Sequence, residues 1–372
     1  MAGLYDEKAR HQSIAYGREK YRVGLISSAL SIALLILAIT QRWFALLDER
    51  IRSFVDQPIL ISLLFIASLS LISWLIDLPF ALYGIFSIEE RYGFNKITPK
   101  TFVLDSIKGS ALTILIGGPV LTLILWLYER FDQNFWIYSW SFVAIFSLVM
   151  FMFGTSVLLP LFNKLTPLED GELKSSILGY CASQGYTLNR LFVMDGSKRS
   201  TKANAFFSGL GKSKMIVLFD TLIEKLTTDE ITAVLAHEVG HYKRKHTLQM
   251  FIASNAQTFA IFALLGISLQ SDRLPEALGI STPSFHVGAL AFFLLLAPLN
   301  LLLGLLNNSL SRRNEFDADQ FARLTYKVAP MKSALKKIST ASLSNLTPHP
   351  LYVAIHYTHP PLAERLKALS ER

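Results

Sequence analysis

Six long apolar runs constrain this chain more than any other feature. They are Val23–Thr40, Pro58–Phe86, Phe102–Leu127, Phe135–Leu159, Thr247–Leu269 and Phe285–Leu306. Each reaches the roughly 18–20 residues a helix needs to cross a bilayer. In hydrocarbon every backbone amide must find its partner within the segment, so runs of this kind admit helices and little else. The expected fold class is therefore an α-helical integral membrane protein with six transmembrane helices. The composition follows from those runs: 51% hydrophobic, 17% charged, mean hydropathy +0.38. A soluble domain carries about a quarter charged residues.

The runs divide the chain into a polar segment 1–22, four spans in 23–160, a soluble insert 161–246, two spans in 247–306 and a soluble tail 307–372. An even number of spans between them puts the N-terminal segment, the insert and the tail on one side. The net charge of +8 settles which side. Lys and Arg number 30 on that side against 5 in the opposite loops, with Lys108 left inside a span. Positive-inside bias makes that side cytoplasmic. The basicity is thus topology; no nucleic-acid motif accompanies it, and no nucleic-acid partner is expected. No cleavable signal peptide is expected, because the first apolar run is long enough to span. The lone cysteine, Cys181, allows no intrachain disulfide and reads as a small buried residue.

Within the insert, an amphipathic helix is predicted over Gly171–Gln184. Three short strands follow in "LFVMD", "ANAFFSG" and "SKMIVLFD", with "GLGKS" as the turn between the last two. A helix then starts at "LTTDEITAVLAHEVGH", with Thr227 as N-cap and Glu230 three residues on, a capping-box pattern. The tail reads as helical after Pro330, breaks at "TPHP" and "THPP", and ends in a short helix begun by Pro361.

The chemistry sits in "HEVGH". On a helix His237 and His241 lie on one face and can share one metal ion. Glu238, one residue along, is placed to take a proton from an attacking water. By composition alone the pattern is roughly a one-in-a-hundred coincidence. Two histidines leave a catalytic zinc one protein ligand short. His241 is about six residues, roughly 9 Å, from the start of the fifth span, and Glu315 in "NNSLSRRNEFDAD" about nine, roughly 13 Å, beyond the sixth. Glu315 is therefore the expected third ligand. Asp319, one turn later, is placed to accept the second ring N–H of a ligand histidine.

These residues carry a resemblance. "HEVGH" followed by "SRRNEFDAD" resembles the gluzincin membrane proteases. "SIEERYGFNKITPKTF", "DGSKRSTKANAFFSG", "IVLFDTLIE" and "THPPLAERL" are similar to the type I CAAX prenyl proteases, zinc enzymes that trim farnesylated proteins. The resemblance implies a cytoplasmic α+β metalloprotease domain over helices that enclose a chamber. It implies one Zn2+ per chain and removal of the last three residues of a prenylated CAAX C-terminus. It further implies that Asn204, Ala205 and Phe206 pair with the substrate as an added strand. It implies that His359 steadies the oxyanion, worth about 3 kcal/mol of barrier, with Arg365 beside it. The family usually shows seven spans; "ARHQSIAYGREKYRVGLISS" resembles the stretch after its first, so that first helix is expected to be missing here.

The loop Glu89–Lys96 reads as packed against the protease domain. Asp77 calls for a polar surrounding, either a water-filled chamber or Lys108. His11, His246 and His286 read as surface or interface residues. The expected partners are a peptide or protein substrate, farnesylated in the leading reading, and membrane lipid. The membrane is bacterial inner membrane or endoplasmic reticulum, and the oligomeric state stays open. Two alternatives stand beside this one. One is a quality-control membrane protease resembling HtpX. The other is a non-proteolytic scaffold or channel, which would be expected to have lost Glu238.

Overall fold

The computed structural model describes residues 7–371 apart from 187, 189, 209–214, 272 and 281. Helix α1 (Glu7–Thr40) carries the first apolar run. Residues 7–22 are its polar overhang rather than a separate segment. A left-handed Arg42 (φ 56°) turns the chain into the short helix α2 (Trp43–Arg52). Helix α3 (Pro58–Tyr83) starts with Pro in its first turn and Gln57 as cap, then widens into a π-helical turn, Gly84–Glu89. Helix α4 (Pro99–Leu112), a second π turn (Thr113–Gly117) and α5 (Gly118–Phe131) lead through 132–134 into α6 (Phe135–Phe162).

Four helical stretches are long and apolar enough to cross a bilayer: Glu7–Thr40, Pro58–Glu89, Pro99–Phe162 and His246–Ser268. A fifth is formed if Phe285–Leu295 and Ala297–Thr325, bent by 57°, count as one. Six runs were expected. The difference arises because the third and fourth continue into each other without leaving helical conformation. Within that stretch the chain doubles back at Asp132 (φ 43°). Lys108 Nζ donates to the Leu161 carbonyl at 2.9 Å, so the start of α4 lies beside the end of α6. The 57° bend coincides with Pro298, which lacks an N–H and crowds the carbonyl one turn back.

Between α6 and the later apolar helices lies a four-stranded mixed sheet, order β1-β2-β4-β3. Strands β2 (Leu191–Met194), β3 (Ala205–Ser208) and β4 (Met215–Phe219) are the three expected. Strand β1 (Leu165–Pro167) was not, being three residues long and ending in proline. β2 and β4 run parallel; β1 and β3 pair antiparallel on the outside. The "GLGKS" turn lies outside the described residues. Helices α7 (Glu172–Ser183), α8 (Asp220–Lys225) and α9 (Thr228–Lys243) complete the insert. Beyond them come α10 (His246–Ser268), α11 (Arg273–Ala277), α12 (Phe285–Leu295) and α13 (Ala297–Thr325). The tail adds α14 (Val328–Ala341), α15 (Pro350–His356) and α16 (Leu362–Ala368).

α9 is the hub. Its Ile231, Leu235 and Val239 pack with Ile216 and Leu218 of β4 and Ile177 of α7 in one core, where Cys181 is also buried. Completely burying side chains of this kind is worth about 1.5–3 kcal/mol each. Thr227 and Glu230 form the expected capping box.

Two sequence readings are corrected here. His286 is not at a surface: it is 2% exposed, with Ser62 Oγ 2.9 Å from Nδ1 and Asp48 Oδ1 2.8 Å from Nε2. His246 is likewise buried, 5% exposed. His11 is exposed as expected. Asp77 is exposed, and Lys108 is engaged by Leu161.

Candidate metal centre

Helices α9 and α13 lie unusually close, and Gly240 is the reason. A Cβ there would stand 3.1 Å from the Ala318 carbonyl oxygen and 3.1 Å from Phe321 Cβ. Any larger residue would have to push α13 away. This approach brings Glu315 and Asp319, both buried on α13, against His237 on α9.

Three ligand-type atoms converge. His237 Nε2 and His241 Nε2 are 3.1 Å apart. Glu315 Oε1 is 3.2 Å from His241 Nε2, and Oε2 is 3.4 Å from His237 Nε2. A tetrahedral zinc with bonds of about 2.0–2.1 Å separates its ligands by about 3.3–3.4 Å, so the spacing fits that ion. Glu315 Oε2 is buried without a hydrogen-bond partner. The Arg365 guanidinium, 3.3 Å away, offsets part of its charge, and a metal ion would supply the contact it lacks. His237, His241 and Glu315 form a group able to hold a metal ion.

Each histidine is oriented from behind. His237 Nδ1 lies 2.8 Å from Asp319 Oδ1, so the ring proton points to Asp319 and the Nε2 lone pair to the centre. Asp319 is gripped by both fork nitrogens of Arg365, at 2.8 Å and 2.6 Å. The third guanidinium nitrogen lies 3.3 Å from Glu315 Oε2. His241 Nδ1 lies 3.0 Å from His246 Nδ1, whose Nε2 is 3.1 Å from Asp317 Oδ2. Only one proton arrangement leaves the His241 Nε2 lone pair inward. His241 donates to His246, and His246 donates to Asp317. His246 and Asp317 were missed in the sequence, where "KRKH" reads as a basic membrane border; the i+5 spacing from His241 was the one available signal.

The charges are strongly coupled. Burial disfavours a charged His237, but Asp319 and Glu315 outweigh it and carry the ring up to about 9. Burial also raises Glu315, yet His237, His241 and Arg365 pull it well below the usual carboxylate range. Glu238 is held above the ordinary glutamate value, chiefly by burial, with the Glu315 charge adding to it. Burial is the main cause that lowers His246 despite Asp317, which favours the neutral ring that the proton arrangement requires.

His359 comes to the same place: its Nε2 is 3.3 Å from Glu315 Oε1, on a side chain that is 65% exposed. His349 and His356 stay apart from the centre; His349 Nδ1 caps α15 by accepting from Leu351 N at 3.2 Å. Arg312 donates to the carbonyls of Val353 and Tyr357, at 3.1 and 2.7 Å, fixing the turn that delivers His359. Asn204 is exposed, and Ala205–Ser208 form the outer strand, paired with β4 on one side. The Glu89–Lys96 loop packs on the segment leading into β3: Asn95 bridges Ser200, and Thr201 N donates to Phe94 O at 3.2 Å.

Comparison with known proteins adds an independent line. Residues 1–164 match the family described as CAAX prenyl protease N-terminal, five membrane helices, and residues 167–372 match peptidase family M48. CAAX prenyl protease 1 of Saccharomyces cerevisiae is 37% identical, covering 98% of this chain and 86% of that protein. The Arabidopsis thaliana CAAX prenyl protease 1 homolog is also 37% identical, over 99% and 89%. The crystal structure of S. mikatae Ste24p superposes with a TM-score of 0.94 at 36% identity, covering 100% of this chain and 91% of that one.

Proposed function

The chain belongs to the M48 family of CAAX prenyl proteases, and from that premise we propose that it removes the last three residues of prenylated CAAX C-termini. The observation that carries the proposal is the His237–His241–Glu315 convergence beside Glu238. Zinc, one per chain, when bound supplies a Lewis acid that polarises the scissile carbonyl and activates water. Glu238 takes a proton from the attacking water and returns it to the leaving amine; its raised proton affinity suits both halves of that task. His359 donates to the carbonyl oxygen as charge develops there. Arg365 acts through Asp319 and Glu315, since its nitrogens are engaged with those carboxylates. The exposed edge of Asn204–Phe206 hydrogen-bonds the substrate backbone, a mode that accepts varied side chains.

The six apolar runs, with the 132–134 reversal counted as a hairpin, would make six crossings enclosing a chamber. The insert and tail then form one catalytic unit on the cytoplasmic face, where the basic residues lie. Substrates tethered in the membrane reach a metal centre held at its surface.

The test is cleavage, in detergent, of a farnesylated CAAX peptide and its unprenylated twin, with metal content measured and Glu238→Gln as control. Prenyl-dependent cleavage that vanishes in the control supports the proposal. Equal cleavage of both peptides transfers the chain to the quality-control reading. Bound metal without cleavage of either leaves the scaffold reading.

A further inference from the structure

The loop after α3 and the polar overhang of α1 meet at a half-buried ionic knot that the reaction does not use. Lys202 Nζ lies 2.7 Å from Glu89 Oε2 and 2.8 Å from the Tyr16 hydroxyl. Tyr16 in turn donates to Glu89 Oε1 at 2.5 Å. Lys20 stands 3.6 Å from the same carboxylate. The Lys202 ammonium also sits over the Phe94 ring, 4.4 Å from its centroid. Tyr16, Ile88 and Phe94 are 6%, 1% and 5% exposed and form a small core of their own. Two stretches distant in sequence thus converge on one lysine of a third.

That lysine is two residues before Asn204. The segment leading to it is fastened at every step. Arg199 grips Asp105 through two nitrogens, at 2.8 and 3.0 Å. Lys96 N donates to the Arg199 carbonyl at 3.1 Å. Thr221 Oγ1 donates to the Lys202 carbonyl at 3.0 Å. Beyond Lys202 the chain becomes the outer strand, with β4 its one partner strand among the described residues.

We infer that Tyr16, Glu89 and Lys202 are a positioning unit that holds the Asn204–Phe206 edge of β3 in place against the membrane spans, and so sets how tightly a substrate backbone pairs there. The inference rests on the proposed pairing of substrate with Asn204–Phe206. An interaction that holds substrate equally before and during the reaction acts on KM rather than kcat.

The experiment uses the full chain in detergent with the farnesylated peptide. Lys202→Met and Glu89→Gln are each expected to raise KM about tenfold, with kcat within about twofold and zinc content unchanged. The double variant should be no worse than either single, because both break one unit. Lys202→Arg should restore KM. Hydrogen exchange of the β3 amides gives a readout independent of cleavage, and it should quicken in both single variants. Folded, zinc-loaded variants with unchanged KM and unchanged exchange overturn the inference, as does a fall in kcat at constant KM. Where Lys202→Met does not fold, Tyr16→Phe removes one hydroxyl and leaves the ion pair; an unchanged KM there is equally fatal. A wild-type chain that cleaves nothing sinks the proteolytic reading instead, while the exchange result still decides this one.

Discussion

His237 and His286 are both buried, and both lean on an aspartate, yet they are built for opposite ends. His286 has no capacity left. Ser62 donates to Nδ1, Nε2 donates to Asp48, and the other Asp48 oxygen takes Arg52 Nε at 2.8 Å. The Phe65 ring closes over it, 4.6 Å between centroids. The order Ser–His–Asp resembles a hydrolytic triad, but Ser62 is 4% exposed and no substrate could reach it. His237 spends one nitrogen on Asp319 and turns the other toward His241 Nε2 and a carboxylate oxygen that makes no hydrogen bond and lies 3.3 Å from the Arg365 guanidinium. Lone pairs and a carboxylate facing one another repel unless a cation sits among them. A structural histidine is one whose partners are complete; a candidate reactive one is left incomplete toward a common point.

The sharpest break of this contrast is Glu238→Gln. Loss of the general base is expected to lower kcat about 10³-fold or more, with zinc content unchanged by elemental analysis. At the other histidine, Asp48→Ala should leave zinc stoichiometry and residual activity intact. It should destabilise the fold by about 3–5 kcal/mol, read as a lower unfolding midpoint in detergent. His246→Gln and Asp317→Asn lie between the two cases. Each should weaken zinc about tenfold or more in a chelator competition, with little change in unfolding temperature for the metal-loaded protein. Equal zinc affinity would reduce that relay to packing.

The smallest effect concerns Glu230 in the α9 cap. Burial raises its carboxyl, but Lys337, Ser333 and the Thr227 amide more than offset that and leave it below its ordinary 4.5. A depressed folded value means the stabilisation is complete above the unfolded value and is lost as pH falls through the folded one. Glu230→Gln should therefore lower the unfolding temperature at neutral pH, where that stabilisation is complete, and flatten its decline below about pH 4.5. A wild-type curve with no acid-side decline beyond that of the variant would contradict this account.

Much of the zinc centre is legible because it is encoded locally or by topology. His237 and His241 share a helix face, and Glu315 follows from two antiparallel spans ending at similar heights. The capping box at Thr227 and the strands around "MIVLF" are equally local. The His286 cluster is not, since its partners lie 224 and 238 residues away and no periodicity links them. His246 was hidden by its neighbours, three basic residues that fit a membrane border as well as a relay. The span count differs for a related reason: hydropathy breaks at the polar stretch 128–134, while the chain reverses there without leaving helical conformation.

Only Arg244 and Lys245 separate the zinc helix from the membrane helix α10, and Lys245 turns there in the left-handed region at φ 58°. In the proposed membrane arrangement the bilayer would work as a ruler for this centre. The metal's height above the lipid would be set by a joint of two residues, not by a flexible linker. One residue inserted there would lift the site by about 1.5 Å and swing it by about 100°. For a substrate whose anchor is lodged in the same lipid, the bond that meets the metal is then fixed by distance along the chain, before any side chain is read.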